Sequence, residues 1–415
     1  MSEQVQLRRQ RIEARLKRRY AAERRFKALG FAAVLFSALV LAFLLVTMTS
    51  NALGGFQRTE LKVPIDFSSG VLTVDPSQLQ GPQAMQALEG AGLKDVVAFA
   101  AAKQLGDVGA AQVQDNAWRG VAKALIADPS RLSGTFAAAL PASDDLAAAA
   151  RGDGQETLRP LAAKLRAEGK LVSAIDWGFL SRGDATGPQD VGIWGALKGS
   201  MLTMLVTLGL AFPIGVLAAV YLEEYAPKNR WTEIIEVSIN NLAAVPSIIF
   251  GLLGLAVFLA IFPNYRSAPL IGGMTLALMT MPVIVISGRN AIKAVPPSIR
   301  DAALAVGASR VQTVFHHVLP LALPGILTGT IIGMARALGE TAPLLMIGMR
   351  AFVATPPEGF TSPATVLPVQ IFLWSDEIDR GFVERTSAAI IVLLLFLLAM
   401  NGLAIYLRNR FEKRW

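Results

Sequence analysis

Two charged residues four positions apart, Arg336 and Glu340, interrupt an otherwise apolar stretch of this 415-residue chain. A charged side chain within a membrane span costs about 2.5–3.5 kcal/mol on insertion scales, so it needs a partner or a wet cavity. The planar guanidinium of Arg336 offers a fork of donors that suits an oxyanion. Glu340, one helical turn further on, can neutralise Arg336 when no anion is present. The pair therefore indicates either an anion pathway or a fixed ion pair that fastens helices.

Three glycines precede this pair at four-residue spacing. Gly325, Gly329 and Gly333 form a small-xxx-small pattern, which is typical of closely packed membrane helices. At about 100° per residue, the three glycines, Arg336 and Glu340 share a sector of about 80°. Both charges are therefore expected to face the packed bundle rather than lipid. Arg336 follows Gly325 by about 16 Å of helix axis, which predicts a position close to the membrane midplane.

The composition argues against metal sites, thiol chemistry and enzymatic catalysis. The chain has no cysteine, and its two histidines, His316 and His317, are adjacent. On a helix they would point about 100° apart and make a poor metal pair, so we predict no metal site and no thiol chemistry. The sequence also contains no P-loop and no catalytic dyad or triad that we recognise. We therefore predict a non-enzymatic protein with no cofactor and no ATP site of its own.

Apolar blocks long enough to cross a bilayer would position the charged pair. Hydrophobic residues make up 53% of the chain and charged residues only 17%, below the quarter or so of soluble domains. A span needs roughly 17–25 predominantly apolar residues. Six blocks have about this length: Ala28–Met48, Gly199–Leu222, Val237–Phe262, Leu270–Ser287, Gly325–Met349 and Ala388–Leu407. We predict an all-α polytopic membrane protein with six transmembrane helices.

The basic residues predict the orientation of these spans. Residues 1–27 hold ten Lys and Arg, and the positive-inside rule places such a tail in the cytoplasm. Six crossings return the basic tail 408–415 to the same side, so both termini are expected in the cytoplasm. The net charge of +8 is then a topology and membrane-lipid signal. Nucleic-acid binding is not predicted, because no recognition motif accompanies the charge.

A hydrophilic insert, residues 49–190, follows the first span, residues 28–48. Within the insert, Thr59–Phe67 alternates like a short strand. Two other stretches are Ala-rich with helical spacing, Pro82–Gln104 and Ala110–Ala127. We predict an extracytoplasmic domain that is either α+β or mainly helical, and the sequence assigns it no chemistry.

The remaining core, residues 191–407, contains an informative inner loop at residues 289–324. Pro296 and Pro297 are typical of a helix start, and Gly307 either ends that short helix or lets another backbone approach. Two short helices between spans would form a stiff projection. Such a projection is either an interfacial helix that lies on lipid or a knob that docks into a partner.

The loop resembles the EAA loop of ABC-importer permeases. The matching positions are Asp301, Ala302, Ala303, Gly307, Leu319 and Pro320. Asp301 replaces the family's Glu, and His317 stands where the family often has Ile. Residues 240–251 (NNLAAVPSIIFG) and 335–345 (ARALGETAPLL) resemble the phosphate-specific branch, the PstA permeases. The likeness covers roughly residues 191–407, and the long basic N-terminus with its insert resembles an extended PstA subgroup.

The resemblance implies a fold, partners and a mechanism. The core would have the type I importer (MetI-like) fold, and its loop would be the coupling helix that sits in a cleft of an ATPase subunit. The chain would then be the permease subunit of a phosphate importer in the inner membrane of a bacterium. Its partners would be a PstC-like permease, a PstB-like ATPase dimer that binds ATP and magnesium, and a PstS-like phosphate-binding protein. Two alternatives remain, a permease for another oxyanion such as sulfate, molybdate or phosphonate, and a membrane-anchored envelope sensor.

Overall fold

The computed structural model describes residues 3–68, 83–152, 155–349, 352–379 and 381–411, together with positions 72, 74, 79 and 81. The chain divides into two units, Met1–Asn51 and Ala52–Trp415. Helix α1 covers Glu3–Gly55. Its part Arg19–Gly55 is long and apolar enough to cross a membrane, and the first predicted span falls within that part.

The insert is an α+β domain. In its described part, three antiparallel strands form a sheet with β1 (Gln57–Asp66) between β2 (Thr135–Pro141) and β3 (Leu171–Ile175). Alternate side chains of β1 are buried, as the two-residue period of a strand dictates. The helices of the insert are α2 (Ala84–Gly90), α3 (Leu93–Ala110), α4 (Ala117–Ala127), α5 (Asp144–Arg151) and α6 (Arg159–Ala167). Of the two folds predicted for the insert, the structure therefore has the α+β one.

All regular secondary structure in the described part of the core is helical. Its helices are α7 (Trp194–Val220), α8 (Arg230–Ala243), α9 (Ser247–Leu253), α10 (Leu259–Ile261), α11 (Pro269–Lys293), α12 (Pro297–Ala305), α13 (Arg310–Gln312), α14 (Leu319–Gly339), α15 (Ala342–Met346), α16 (Leu367–Ser375) and α17 (Gly381–Phe411). Three π-helical turns, Tyr221–Tyr225, Gly254–Phe258 and Thr313–Val318, continue neighbouring helices. Helix α11 packs against both α7 and α14, so it forms the centre of the core.

Five helices within the described residues are long and apolar enough to span a membrane, or six if one bent pair counts as a span. The predicted multi-span helical fold is confirmed. The exception is the predicted continuous span Val237–Phe262, which is wrong. Segments Arg230–Ala243 and Ser247–Ile261 meet at an angle of 105°. Pro246 explains the bend, because proline has no N–H for the helical ladder and its ring clashes with the carbonyl four residues earlier.

The predicted span Gly325–Met349 is wrong at both ends. The spanning helix begins at Arg310, runs through a π-helical turn and ends at Gly339. Its early start accommodates Pro320, since a π-helical turn precedes this proline and relaxes the ladder where the N–H is missing. Its early end follows from Pro343, which cannot donate to the carbonyl of Gly339 four residues before it. The inner loop between α11 and this helix is therefore shorter than residues 289–324.

Candidate functional site

The break after α14 brings the predicted charged pair together. Arg336 lies in the last turn of α14, and Glu340 is the first residue past that helix, with an extended backbone (φ −79°, ψ 124°). Arg336 Nε lies 3.6 Å from Glu340 Oε1, which makes an ion pair. Because Glu340 has left the helix, its backbone conformation rather than the helical i+4 spacing sets this geometry.

The two partners of this ion pair differ in exposure. The Arg336 side chain is 48% exposed and that of Glu340 is 20% exposed. Within this chain the neighbouring helices therefore leave the arginine about half uncovered, and the prediction that it faces a packed bundle rather than lipid stays a prediction. The helix ends three residues beyond Arg336, and the predicted midplane position of Arg336 stays a prediction. A guanidinium exposed at the end of a membrane span needs water, an anion or another subunit to cover it.

The three-glycine face of α14 packs directly on α11. A Cβ atom added to Gly325 would lie 2.7 Å from the Cβ of Ala291, and one added to Gly333 would lie 2.9 Å from Cγ2 of Thr280. At Gly329 the added atom would lie 2.2 Å from the Cβ of Ser287. Real Cβ atoms do not approach other carbons this closely, so each of these positions has room for glycine alone. The two helix backbones therefore meet along the face that ends one turn before Arg336.

A second broken helix lies beside the first break. Helix α9 starts directly after Pro246, and α15 starts two residues after Glu340. The two short helices touch at Gly251, where an added Cβ would lie 2.6 Å from the Cα of Pro343. Discontinuous helices of this kind line substrate paths in transporters, because their broken ends free backbone groups. Arg336 and Glu340 thus lie next to a pair of interrupted spans.

The residues of the predicted EAA-like loop lie on α12 and just beyond it. Asp301 and Ala302 are exposed, whereas Ala303 is 5% exposed and packs inward. Gly307 has φ +91°, donates from its N–H to the carbonyl of Leu304 at 3.0 Å, and is followed by a bond from the N–H of Ala308 to the carbonyl of Ala303 at 3.1 Å. These two bonds form a Schellman motif, which explains the glycine, since its left-handed backbone is strained for other residues.

The last two predicted loop residues begin the transmembrane part of the next span. Leu319 and Pro320 are the first residues of α14, directly after the π-helical turn that contains His316 and His317. Around them the loop exposes an apolar surface made of Leu304, Val306, Val311 and Phe315, with Val306 exposed by 85%. Exposed apolar patches of this kind mark contact surfaces with other molecules.

An ionic network that sequence reasoning missed fastens α12 to the spans. Arg300 donates from Nη2 and Nε to Glu224 Oε1 at 2.7 and 3.0 Å, and to the carbonyls of Val295 and Ile292 at 2.7 and 2.9 Å. Glu224 lies in the π-helical turn that ends α7. One side chain therefore joins α12 to the ends of α7 and α11. Arg300 and Glu224 are 76 residues apart in sequence, and no local pattern signals such a contact.

A second arginine, Arg289 near the end of α11, makes a similar set of ionic contacts. Arg289 Nη2 lies 2.6 Å from Glu236 Oε1, and Arg289 Nε lies 3.4 Å from Glu223 Oε2. Lys293 lies 3.6 Å from the same Glu223 carboxylate. The side chains of Arg289 and Glu223 are only 13% and 17% exposed, whereas that of Glu236 is 35% exposed. The end of α11 is thus tied to α7 and to α8.

A buried arginine connects the insert with the last span. Arg385 of α17 is 2% exposed. It donates to the carbonyls of Gly55 and Pro188 and to Asp176 Oδ2, the last at 3.0 Å. Its guanidinium also lies over the ring of Phe179, 5.1 Å from the centroid. A buried charge with a complete set of partners holds its neighbours in one arrangement, because each lost contact would leave it unsatisfied.

One carboxyl group of the insert, that of Asp144, has a raised pKa. Burial, with a smaller contribution from the neighbouring charge of Asp379, raises the pKa of Asp144 to about 6. Asp144 is the first residue of α5, and its Oδ1 has no hydrogen-bond partner. The ionised form of this group is therefore unfavourable in the folded insert.

Metal chemistry has no support in the described part of the chain. Among those residues, no group of three or more His, Asp or Glu side chains is arranged to hold a metal ion. A cavity of about 250 Å³ lies between α7, α14 and α17, and its lining is almost wholly apolar. Neither Arg336 nor Glu340 lines it. The charged pair is therefore separate from this cavity.

The multi-span core with interrupted helices and a projecting loop defines a class, the membrane permeases of transport complexes. Residues 211–414 match the family described as binding-protein-dependent transport system inner membrane component. Residues 13–159 match a separate domain of unknown function, DUF3333. The DUF3333 match covers most of the insert and much of α1.

Proteins of similar sequence show which family of membrane permeases the chain belongs to. The chain is 33% identical over 190 residues to the probable ABC transporter permease YqgI of Bacillus subtilis, covering 46% of this chain and 63% of that protein. It is 31% identical over 214 residues to the phosphate transport system permease PstA of Yersinia pestis, covering 51% of this chain and 71% of that protein. A solved structure of the MetNI methionine ABC transporter aligns with a TM-score of 0.43 at 18% identity, covering 53% of this chain and 98% of that chain. The chain belongs to the PstA family of binding-protein-dependent permeases.

Proposed function

We propose that this chain is the permease subunit of an ATP-driven inorganic phosphate importer and forms half of its translocation pathway. The observation that carries the proposal is the exposed guanidinium of Arg336 beside Glu340, at the junction of two interrupted spans. A planar fork of donors suits a tetrahedral oxyanion. Because Arg336 is exposed in the single chain, a second permease is needed to close the pathway around it.

Glu340 has a distinct part in this proposal. Its carboxylate accompanies the guanidinium when no anion is present, so the pathway never contains an unpaired buried charge. An arriving phosphate competes with that carboxylate for Arg336. The competition keeps phosphate binding weak enough for release, which a transport pathway requires.

The energy for uphill transport would come from a separate ATPase that binds ATP and magnesium. We propose that it docks on α12 and the adjoining apolar surface of Leu304, Val306, Val311 and Phe315, which are exposed in this chain. The ionic contacts of Arg300 would pass its movement to α7 and α11. The other partners would be a PstC-like permease and a PstS-like phosphate-binding protein outside the cell. This arrangement places α12 and both termini in the cytoplasm and the insert outside.

Reconstituted uptake tests the proposal directly. The chain is assembled with its partner permease, ATPase and binding protein in vesicles, and uptake of radiolabelled phosphate is measured. We expect Arg336→Gln to abolish uptake while the complex still assembles, because glutamine keeps polarity but loses the charge and the fork. Arg119→Gln is the matched control, since Arg119 is an exposed arginine of α4 in the insert and should leave uptake unchanged.

Three results would count against the proposal. Normal uptake by Arg336→Gln would remove the arginine from the pathway. Suppression of phosphate uptake by equimolar sulfate, molybdate or phosphonate would favour a permease for another oxyanion. An intact complex that hydrolyses no ATP and moves no anion would favour an envelope sensor.

A further inference from the structure

A short turn of the insert, Trp177–Leu180, presents an exposed apolar face. This turn is a 3₁₀-helix, in which residues three apart are eclipsed because there are three residues per turn. Trp177 and Leu180 therefore point the same way, and they are 73% and 39% exposed. Ile175, at the end of β3, is 64% exposed just before them. Phe179 points to the opposite side and is fully buried.

Hydrogen bonds fix this turn at the height where the spans begin. The N–H of Ile193, directly before α7, donates to the carbonyl of Phe179 at 2.9 Å. The N–H of Asp176 donates to the carbonyl of Phe56 at 2.8 Å, and Phe56 follows the last residue of α1. Two helices that can cross a membrane, α7 and α17, have one end close to this turn.

The last span reaches the same level through the buried side of the turn. Phe179 packs against Phe56 with ring centroids 5.7 Å apart, and the guanidinium of Arg385, in the second turn of α17, covers its ring. One face of the turn is thus held against the ends of the spans by hydrogen bonds and aromatic packing, and its other, apolar face is exposed. The depth of the outward face is set by the covalent and hydrogen-bonded connections to those ends.

We propose that the outward face of Trp177–Leu180, with Ile175, lies in the headgroup region of the outer leaflet and anchors the insert to the bilayer surface. Tryptophan favours this region, since its ring is apolar while its indole N–H can meet water and headgroups. Trp194, the first residue of α7, is also partly exposed at this level. The partner that fits is therefore a lipid surface. This anchoring does not depend on which solute the permease carries.

Anchoring would restrict how the insert can move. The insert joins the core through Arg385 and Asp176 on the inner side of the turn. A lipid contact on the outer side fixes the turn from two directions. The insert then stays upright over the spans while its far end, including the Phe99 region of α3, remains in water.

Site-directed spin labelling tests the depth of the turn, and the natural sequence suits it because the chain contains no cysteine. The variants Trp177→Cys and Leu180→Cys are each labelled in the full-length chain, reconstituted in phosphatidylethanolamine–phosphatidylglycerol vesicles. The control is Phe99→Cys, whose side chain is also strongly exposed, at 72%. Phe99 lines a groove with Ile65 and Asp66, at the end of β1 remote from Gln57. Collision rates of each label with lipid-soluble oxygen and with a water-soluble nickel complex are then compared.

We expect oxygen to collide more often than the nickel complex with labels at 177 and 180, and the order to reverse at 99. Leu180→Cys keeps the test valid if Trp177→Cys does not fold. Nickel accessibility at 177 and 180 equal to that at 99 would overturn the proposal in favour of a turn in water. Labels at 177 and 180 that are immobile and shielded from both reagents would overturn it in favour of a protein partner on this face.

Discussion

The contact between α11 and α14 predicts a large effect from a single methyl group. In Gly329→Ala the new Cβ would lie 1.8 Å from Ser287 Oγ and 2.2 Å from Ser287 Cβ. A rotation of the serine can move the oxygen away but not the Cβ. Restoring ordinary carbon contacts requires the helices to separate locally by roughly 1.5 Å.

The expected cost follows from two opposing effects. Overpacking of this kind costs about 1–3 kcal/mol, and replacing glycine by alanine in a helix returns up to about 1 kcal/mol. We expect Gly329→Ala to lower the free energy of unfolding by about 1–2 kcal/mol. The control Gly209→Ala in α7, where an added Cβ meets nothing within 4 Å, should be neutral or slightly stabilising.

A double-mutant cycle isolates the contact. Ser287→Gly removes both clashing atoms, after which the nearest atom is the Cα of Ser287 at 3.7 Å, an ordinary contact. In the Ser287→Gly background, Gly329→Ala should therefore cost nothing, and the coupling energy should be about 1–3 kcal/mol. Unfolding free energies come from titration with denaturing detergent in mixed micelles. Additive effects of the two substitutions, or a Gly329→Ala chain as stable as the natural one, would refute the packing.

Three further outcomes are expected. Gly307→Val should uncouple ATP hydrolysis from uptake, because φ +91° strains a β-branched residue. Gly307→Asn should retain coupling, since asparagine tolerates this conformation. Equal uptake by both variants would contradict the need for a left-handed residue at the end of α12. Arg300→Met should weaken the coupling of ATP hydrolysis to uptake, and it leaves Glu224 sheltered without a partner. Adding Glu224→Met should recover stability but not coupling. Full coupling in either variant would contradict the role of Arg300 in passing movement from α12 to the spans. Asp144 has a folded pKa of about 6 against an ordinary 3.8, so the stability it contributes at low pH is lost as pH rises toward 6. Asp144→Asn should therefore stabilise by about 1 kcal/mol at pH 8, after discounting for partial exposure, and by nothing below pH 4; a constant difference in unfolding free energy across that range contradicts the shift.

Apolar periodicity predicted the spans well but could not locate their interruptions. Mostly apolar segments flank the breaks at Pro246 and Pro343, so hydropathy averaged over a span stays high across them although the helical ladder is interrupted. The prolines were visible, but a proline in an apolar run is compatible with a kink or a break, and α7 continues through Pro213. In the insert, the alternation of Thr59–Phe67 predicted β1, which is central to its sheet. The edge strands β2 and β3 are rich in alanine or short and carry no such signal.

The charged contacts were out of reach for a different reason. Arg336 and Glu340 are close in sequence, so their pairing follows from spacing, although the helix end gives it a different geometry. Arg300 and Glu224 pair across 76 residues, and each alone looks like an ordinary charge at the end of a span. Only the packing of α11 between α7 and α14 brings them together. Pairings of this type depend on the fold and follow from no local pattern.

The contacts described here connect the projecting loop to the charged pair through rigid parts. Arg300 fixes α12 to the ends of α7 and α11. The glycine face of α14 then packs on α11 with only small α11 side chains at the contact, so the two helices have little freedom to slide. Helix α14 carries Arg336 at its far end, about 26 Å from Leu319 at 1.5 Å per residue. We therefore expect a displacement of α12 to reach Arg336 as movement of a packed helix pair. Glu340 lies beyond the break at Gly339, next to the segment that packs on α9. The ion pair spans the helix break at Gly339, so we expect movement of α12 to change the distance between Arg336 and Glu340. Loosening the α11–α14 contact by Gly329→Ala should reduce uptake for that reason, even with Arg336, Glu340 and the loop unchanged.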